Sequence, residues 1–125
     1  MNVIVPPHQN PEQTIKLEDG QQLTPQDMVA EMEKFYRALR KHGWPPEDTR
    51  QLLPIGIEAP IITTSNLNKW RYIFSKHVTK TAHWEIRNVM IKSLLLIKKE
   101  FSDIFSDFVL LGKDENDLPY YGLKQ

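Results

Sequence analysis

The sequence predicts an α+β domain, rich in helix, with a short N-terminal hairpin, one internal strand and a long C-terminal helix. Three observations lead there. Apolar residues recur at helical spacing through 28–39 and again through 82–108. A β-branched run, Ile57 to Thr64, lies between them. Two short alternating segments flank Glu18-Asp19-Gly20, and alternation around Asp-Gly is a hairpin signal.

In chain order, residues 1–13 hold three prolines among polar residues and read as a loose arm or edge extension. Residues 14–17 and 21–24 form the hairpin. Thr24-Pro25-Gln26-Asp27 starts the first helix: Thr24 caps, Pro25 suits the first helical position, and Asp27 complements the positive end. Met28, Met32, Phe35, Tyr36 and Leu39 make its apolar stripe, and His42-Gly43 ends it. Pro45-Pro46-Glu47-Asp48 begins a short helix running to Leu53, stopped by Pro54. Residues 57–64 read as a strand that Pro60 restricts to an edge or bulge. Ser65 or Asn66 caps a helix over 66–76. A last helix is expected over 79–107, with Ala82, Ile86, Val89, Met90, Ile97, Phe101, Ile104, Phe105 and Phe108 as its buried face. Gly112 closes it, and 113–125 reads as a polar tail. The expected organisation is one domain, 1–112, plus that tail.

Composition narrows function. At 125 residues the chain is long enough to bury a core without staples. It has no cysteine, which removes disulfides and thiolate metal sites and fits a reducing cytoplasm. The opening residues lack the basic and apolar regions of a secretory signal, and Met1 reads as a natural start. The longest apolar run, Leu94-Leu95-Leu96-Ile97, is too short to span a bilayer, so no membrane role is expected. Sixteen basic residues balance sixteen acidic ones, which argues against coating DNA or RNA and mildly favours self-association.

General catalytic motifs are absent: no Gly-rich phosphate loop, no HExxH, no Gly-x-Ser-x-Gly. His8, His42, His77 and His83 are scattered without metal-ligand spacing, and no metal is expected. What stands out is polar chemistry between 50 and 87, where Arg50, Asn66, Asn68, Arg71, His77, Glu85 and Arg87 interrupt apolar segments. Arginine and asparagine hold phosphates and amide edges through directed hydrogen bonds. Helix capping and surface ion pairs account for the same residues equally well.

That segment resembles the flavin-dependent thymidylate synthases. Glu47-Asp48-Thr49-Arg50-Gln51-Leu52-Leu53-Pro54 is similar to the family's Glu-x-Ala-Arg-x-x-Leu-Pro. Thr64-Ser65-Asn66, or the shifted Thr63 to Asn66, follows at the family's distance, as the strand end that carries Thr-x-Asn. Asn66 to Ile73 is similar to the family's next helix, and Ala82-His83-Trp84-Glu85-Ile86-Arg87 to its Ala-x-x-Glu-Ile-Arg. The match covers about 28–107.

The resemblance implies a truncated form of that α+β fold, usually tetrameric, with sites shared between chains that take FAD, deoxyuridylate and methylene folate. It places Arg50, Glu47 and His77 at the pyrimidine nucleotide and Asn66, Asn68 and Tyr72 at the flavin. No catalytic residue is assigned, because His77 replaces the arginine that polarises uracil. Asn68, Tyr72 and Thr81 also depart from the family pattern. An imidazole is no equivalent of a permanently charged fork. The family's Arg-His-Arg signature belongs to an N-terminal half that this chain is expected to lack, since residues 1–27 contain no arginine. Two readings follow. One is a divergent relative that binds a pyrimidine deoxynucleotide and FAD without making thymidylate alone; as an enzyme it would be an FAD-dependent methyl- or hydroxymethyltransferase. The other is a non-catalytic nucleotide-binding or regulatory subunit, homo-oligomeric or joined to a synthase-like chain.

Overall fold

A computed structural model describes residues 1–125. The elements run β1 (Ile15–Lys16), β2 (Gln22–Leu23), α1 (Pro25–Lys41), α2 (Pro46–Thr49), a 3-10 turn (Arg50–Leu52), α3 (Leu67–His77), α4 (Trp84–Glu100), α5 (Ser102–Phe105), β3 (Phe108–Lys113) and β4 (Pro119–Leu123). Helices and two small antiparallel sheets make the class α+β. Where the sequence suggests one body over 1–112, the chain divides into two compact units, Met1–Ile61 and Ile62–Gln125.

In the first unit the hairpin forms as expected, pairing Ile15 with Leu23 and Lys16 with Gln22. Gly20 takes φ +87° in its turn, a conformation that costs a residue with Cβ. Helix α1 starts with a complete capping box: Thr24 Oγ1 accepts from the Asp27 amide at 3.1 Å, and Asp27 accepts from the Thr24 amide at 2.8 Å. It ends at His42, whose Nδ1 lies 2.8 Å from the Ala38 carbonyl, with Gly43 at φ +90°. The expected stripe forms on one side of α1, but Met28 and Phe35 remain exposed and no residue of the helix is buried.

The strand expected over 57–64 does not form. Only Ile57 bridges, to Val3, and no backbone hydrogen bond involves 59–65. β-Branched residues fit a pleated surface, and no neighbouring strand supplies one here. Residues 1–13 are tied at that bridge, and the Ile4 amide also donates to the Gly56 carbonyl at 2.8 Å.

In the second unit Asn66 caps α3 by accepting from the Lys69 amide at 2.8 Å. The helix expected over 79–107 is shorter and broken. Residues 79–82 form a turn, α4 begins after His83, and the backbone leaves helical geometry at Phe101 (φ −130°, ψ 54°). Beyond that break, α5 and β3 place Phe105 and Phe108 against Phe74, with ring centroids 5.8 and 6.2 Å away at near-perpendicular angles. The core is Phe74, Val78, Ile91, Leu94, Phe105 and Phe108. Of the expected buried face, Ile86 and Val89 are exposed because α4 turns Ile91 and Leu94 inward instead, and Phe101 and Ile104 are exposed beyond the end of α4.

The polar tail is also corrected. Residues 108–113 and 119–123 pair as a hairpin, Gly112 sits inside β3 opposite Tyr120, and Gly122 is buried. The Tyr121 amide donates to the Val78 carbonyl at 2.8 Å, and its ring packs on the core. Alternation there is masked by Asp114, Asn116 and Asp117, which build the turn.

Candidate functional site

The first unit presents Glu47 and Arg50 on one short helical stretch. Two prolines start α2, and Pro54 follows the turn that ends it. Thr49, fully buried between them, gives its hydroxyl to the Pro45 carbonyl at 2.8 Å, so a polar group is buried with its partner in place. Glu47 and Arg50 therefore project from a pinned turn, and both are exposed.

Arg50 is set apart from the other four arginines. Arg37 forks onto Glu33, Arg40 donates to the Trp44 carbonyl, Arg71 grips Asp107, and Arg87 grips Asp114. The Arg50 guanidinium makes no hydrogen bond and no ion pair. The fold uses four forks and leaves one to solvent.

In the second unit the candidate residues lie along α3. Asn66 commits its side-chain oxygen to capping, which leaves its amide NH₂ to act outward. Asn68 and Tyr72, four residues apart, share an exposed side. His77, also exposed, is the last residue of α3 and lies about 140° round the helix from Tyr72. The set predicted from sequence is therefore not one face.

Sequence reasoning missed Lys69 and Lys76. Their ammonium groups stand 5.1 and 5.7 Å from the Tyr72 ring centroid, within cation–π range. Helix α3 contains no acidic residue, so these two charges have no carboxylate on their own helix, in a chain whose net charge is zero. The spacing i−3 and i+4 around an aromatic residue was the available signal.

Two of the polar candidates prove structural. Arg71 donates to both Asp107 oxygens, at 2.8 and 2.6 Å, and lies 5.2 Å from the Phe108 ring centroid. The guanidinium holds the Asp107 carboxyl below its ordinary value mainly by that hydrogen bonding. Arg87 is buried, donating to Asp114 and to the Lys80 carbonyl at 3.0 Å. Asp114 is lowered as well, first by the amide of Leu118 and then by Arg87.

A cleft of about 450 Å³ opens in the first unit between Val3, Val5, Pro25, Val29 and Glu33. None of the residues predicted from sequence lines it. No group of three or more His, Asp or Glu side chains is arranged to hold a metal ion.

Comparison with known families supplies the frame for these residues. A family model described as thymidylate synthase complementing protein matches residues 1–101. The chain belongs to that family. Curated relatives agree. The flavin-dependent thymidylate synthase of Geobacter sulfurreducens is 39% identical over 72 residues, covering 58% of this chain and 31% of the relative. Those of Pyrococcus abyssi and Saccharolobus solfataricus are 37% and 36% identical over 71 and 70 residues, covering 29% and 27% of their own lengths. The matched stretch thus spans less than a third of these relatives.

Proposed function

We propose that this chain binds a pyrimidine deoxynucleotide, of the deoxyuridylate type, and that it does not make thymidylate alone. The observation that supports this reading most is Arg50. It is the arginine the fold leaves unengaged, and it falls in the segment that resembles the family's nucleotide-binding turn. An arginine fork matches a phosphate or the edge of a uracil by paired hydrogen bonds. Glu47, on the same turn, is the other nucleotide contact proposed in the first unit.

FAD is the proposed cofactor. The exposed Tyr72 ring, the amide groups of Asn66 and Asn68, and the ammonium groups of Lys69 and Lys76 are a donor set suited to a planar ring carrying a diphosphate. Flavin bound there would supply hydride for one-carbon transfer from a folate. His77, where the family has its uracil-polarising arginine, weakens that chemistry, because an imidazole lacks the paired, forked donors of a guanidinium. This is the basis for proposing no stand-alone synthesis. Cytoplasmic location is part of the same reading; no helix is long and apolar enough to cross a membrane.

Calorimetric titration with deoxyuridylate tests it. Binding is expected, and Arg50→Ala should lose about tenfold or more, the usual effect of removing a charge-assisted contact. No binding of any pyrimidine nucleotide, or an unchanged affinity in Arg50→Ala, overturns the reading. Flavin retention is read from the visible absorbance of purified or FAD-reconstituted protein; a colourless product removes the cofactor from the proposal.

A second reading, a subunit that associates with itself or with a full-length synthase, is favoured by exposed apolar side chains such as Ile55 and Leu96. Co-elution with a full-length synthase supports it, and independent elution counts against it.

A further inference from the structure

The charge balance of the whole chain conceals a division. Met1–Ile61 carries six basic and nine acidic side chains, and Ile62–Gln125 carries ten and seven. The second unit is cationic by itself, with a net charge of +3. Its acidic residues are also unevenly placed. No Asp or Glu occurs from Ile62 to Trp84, whereas Lys69, Arg71, Lys76 and Lys80 do. Arg71 is engaged by Asp107. The three lysines are exposed and form no ion pair.

Each of these lysines stands over a tyrosine instead. Lys69 and Lys76 hold their ammonium groups on the side of α3 that carries Tyr72, whose side chain is 56% exposed. That side lies about 160° round the helix from the buried Phe74. Lys80 stands 6.0 Å from the Tyr120 ring centroid. The bond from the Tyr121 amide to the Val78 carbonyl holds β4 at the end of α3, so the second lysine–tyrosine pair sits where that helix stops. Tyr120 alternates with the core-packed Tyr121 and so turns away from the core. Its ring lies over Gly112, where a Cβ would come within 3.1 Å of the hydroxyl. That close packing fixes the ring in place.

We infer that this basic, tyrosine-bearing surface of the second unit binds single-stranded nucleic acid. Lysines neutralise backbone phosphates, and aromatic rings give unpaired bases a platform to stack on. The interleaving of the two selects the partner. An anionic protein surface or a polyphosphate would use the lysines and leave the tyrosines idle. A duplex keeps its bases stacked on one another. The surface holds no forked donor aimed outward to read base edges, so binding is tolerant of sequence. Three lysines set its strength: micromolar or weaker, with a log–log salt slope of about −2.

This binding is independent of the flavin reading, although Tyr72 serves both. A chain that FAD leaves colourless can still bind nucleic acid, and a chain that holds FAD can fail to bind it.

Fluorescence anisotropy of the full chain with labelled oligodeoxyadenylate of about twelve nucleotides tests it. This probe contains no pyrimidine for the Arg50 turn. Saturable, salt-sensitive binding is expected. Tyr72→Ala should weaken it at least about fivefold, the usual minimum for losing one stacked base, and should leave the affinity for inorganic polyphosphate unchanged. Tyr72→Phe, which keeps the ring, should retain binding. Lys69→Gln with Lys76→Gln should reduce the salt slope by about 1.4. Lys92→Gln, on α4, should have no such effect. Circular dichroism should be unchanged throughout, because the substituted positions are exposed. Absence of oligonucleotide binding overturns the inference. So does a Tyr72→Ala variant that binds as before or loses both ligands equally, or a Lys92→Gln variant impaired as much as Lys76→Gln.

Discussion

The two compact units reach stability by different means. The second, Ile62–Gln125, owns a core of six buried apolar residues, three of them phenylalanines in mutual contact. The first, Met1–Ile61, buries a single side chain completely, the hydroxyl-bearing Thr49. Its longest helix, α1, is 17 residues with an apolar stripe and no buried member. Local devices hold it: a capping box, a Gly43 C-terminus, the Val3–Ile57 bridge, and an ion pair between the Met1 ammonium and Glu33 at 2.8 Å. A cap contributes about 1 kcal/mol, whereas one buried aromatic side chain contributes several. The buried apolar core therefore resides in the second unit, and the first relies on local contacts.

The comparison breaks most directly at Phe74. Replacing it with alanine should destabilise the second unit by about 3–5 kcal/mol, because its ring meets Trp70, Phe105 and Phe108 together. Thermal unfolding followed by tryptophan fluorescence measures it, and a loss under about 1 kcal/mol would show that the aromatic cluster is not the source of stability.

Next in size is Arg87→Met, which leaves the Asp114 carboxylate in a nearly inaccessible position without its partner. A clear fall in Tm is expected. The double variant Arg87→Met with Asp114→Asn should recover part of it, because no lone charge is then buried. Equal losses in the single and double variants would show that the ion pair does not hold the β3–β4 turn to α4.

Acid sharpens the contrast in a graded way. Asp107 and Asp114 both have folded-state pKa values below the ordinary 3.8, so the unfolded chain binds protons before the folded one does. Stability from these groups is complete above that value and is lost as pH falls through the lower folded values. The second unit should hold to about pH 4 and loosen beneath it. Asp107→Asn should flatten that dependence, and a profile unchanged by it would exclude the Arg71–Asp107 pair as the cause.

The smallest effect belongs to the first unit. Thr24→Ala removes the cap of α1 and should cost about 1 kcal/mol. Amide exchange should show it as faster opening of α1 alone, on top of protection already lower than in α3 and α4.

Much of the fold is legible in the amino-acid sequence. Thr24, Pro25 and Gly43 mark α1 because they answer local demands: an unpaired amide, a preset φ and a left-handed φ. Asn66 marks α3 in the same way. The expected strand over 57–64 fails because β-branched residues state a preference that only a neighbouring strand can satisfy. The C-terminal hairpin escapes sequence reading because Asp114, Asn116 and Asp117 look like solvent-facing polarity, although they form its turn.

The candidate site divides along the same line. The motifs between Glu47 and Arg87 together carry the family resemblance in the sequence, since motif spacing is a property of the chain alone. Charge use is not legible. Arg50, Arg71 and Arg87 look alike as residues in a sequence. Which of them is engaged by a carboxylate depends on Asp107 and Asp114, 36 and 27 positions further along the chain from Arg71 and Arg87.

By itself, then, the sequence determined both ends of α1, the start of α3, the first hairpin, the α+β class and the family. Each rests on contacts within a few residues or on spacing along the chain. The tertiary structure alone decided where the last helix breaks, that the tail folds back onto Val78, which face of α4 is left open, and which arginine is left free. Those outcomes depend on contacts between distant residues, which local pattern does not encode.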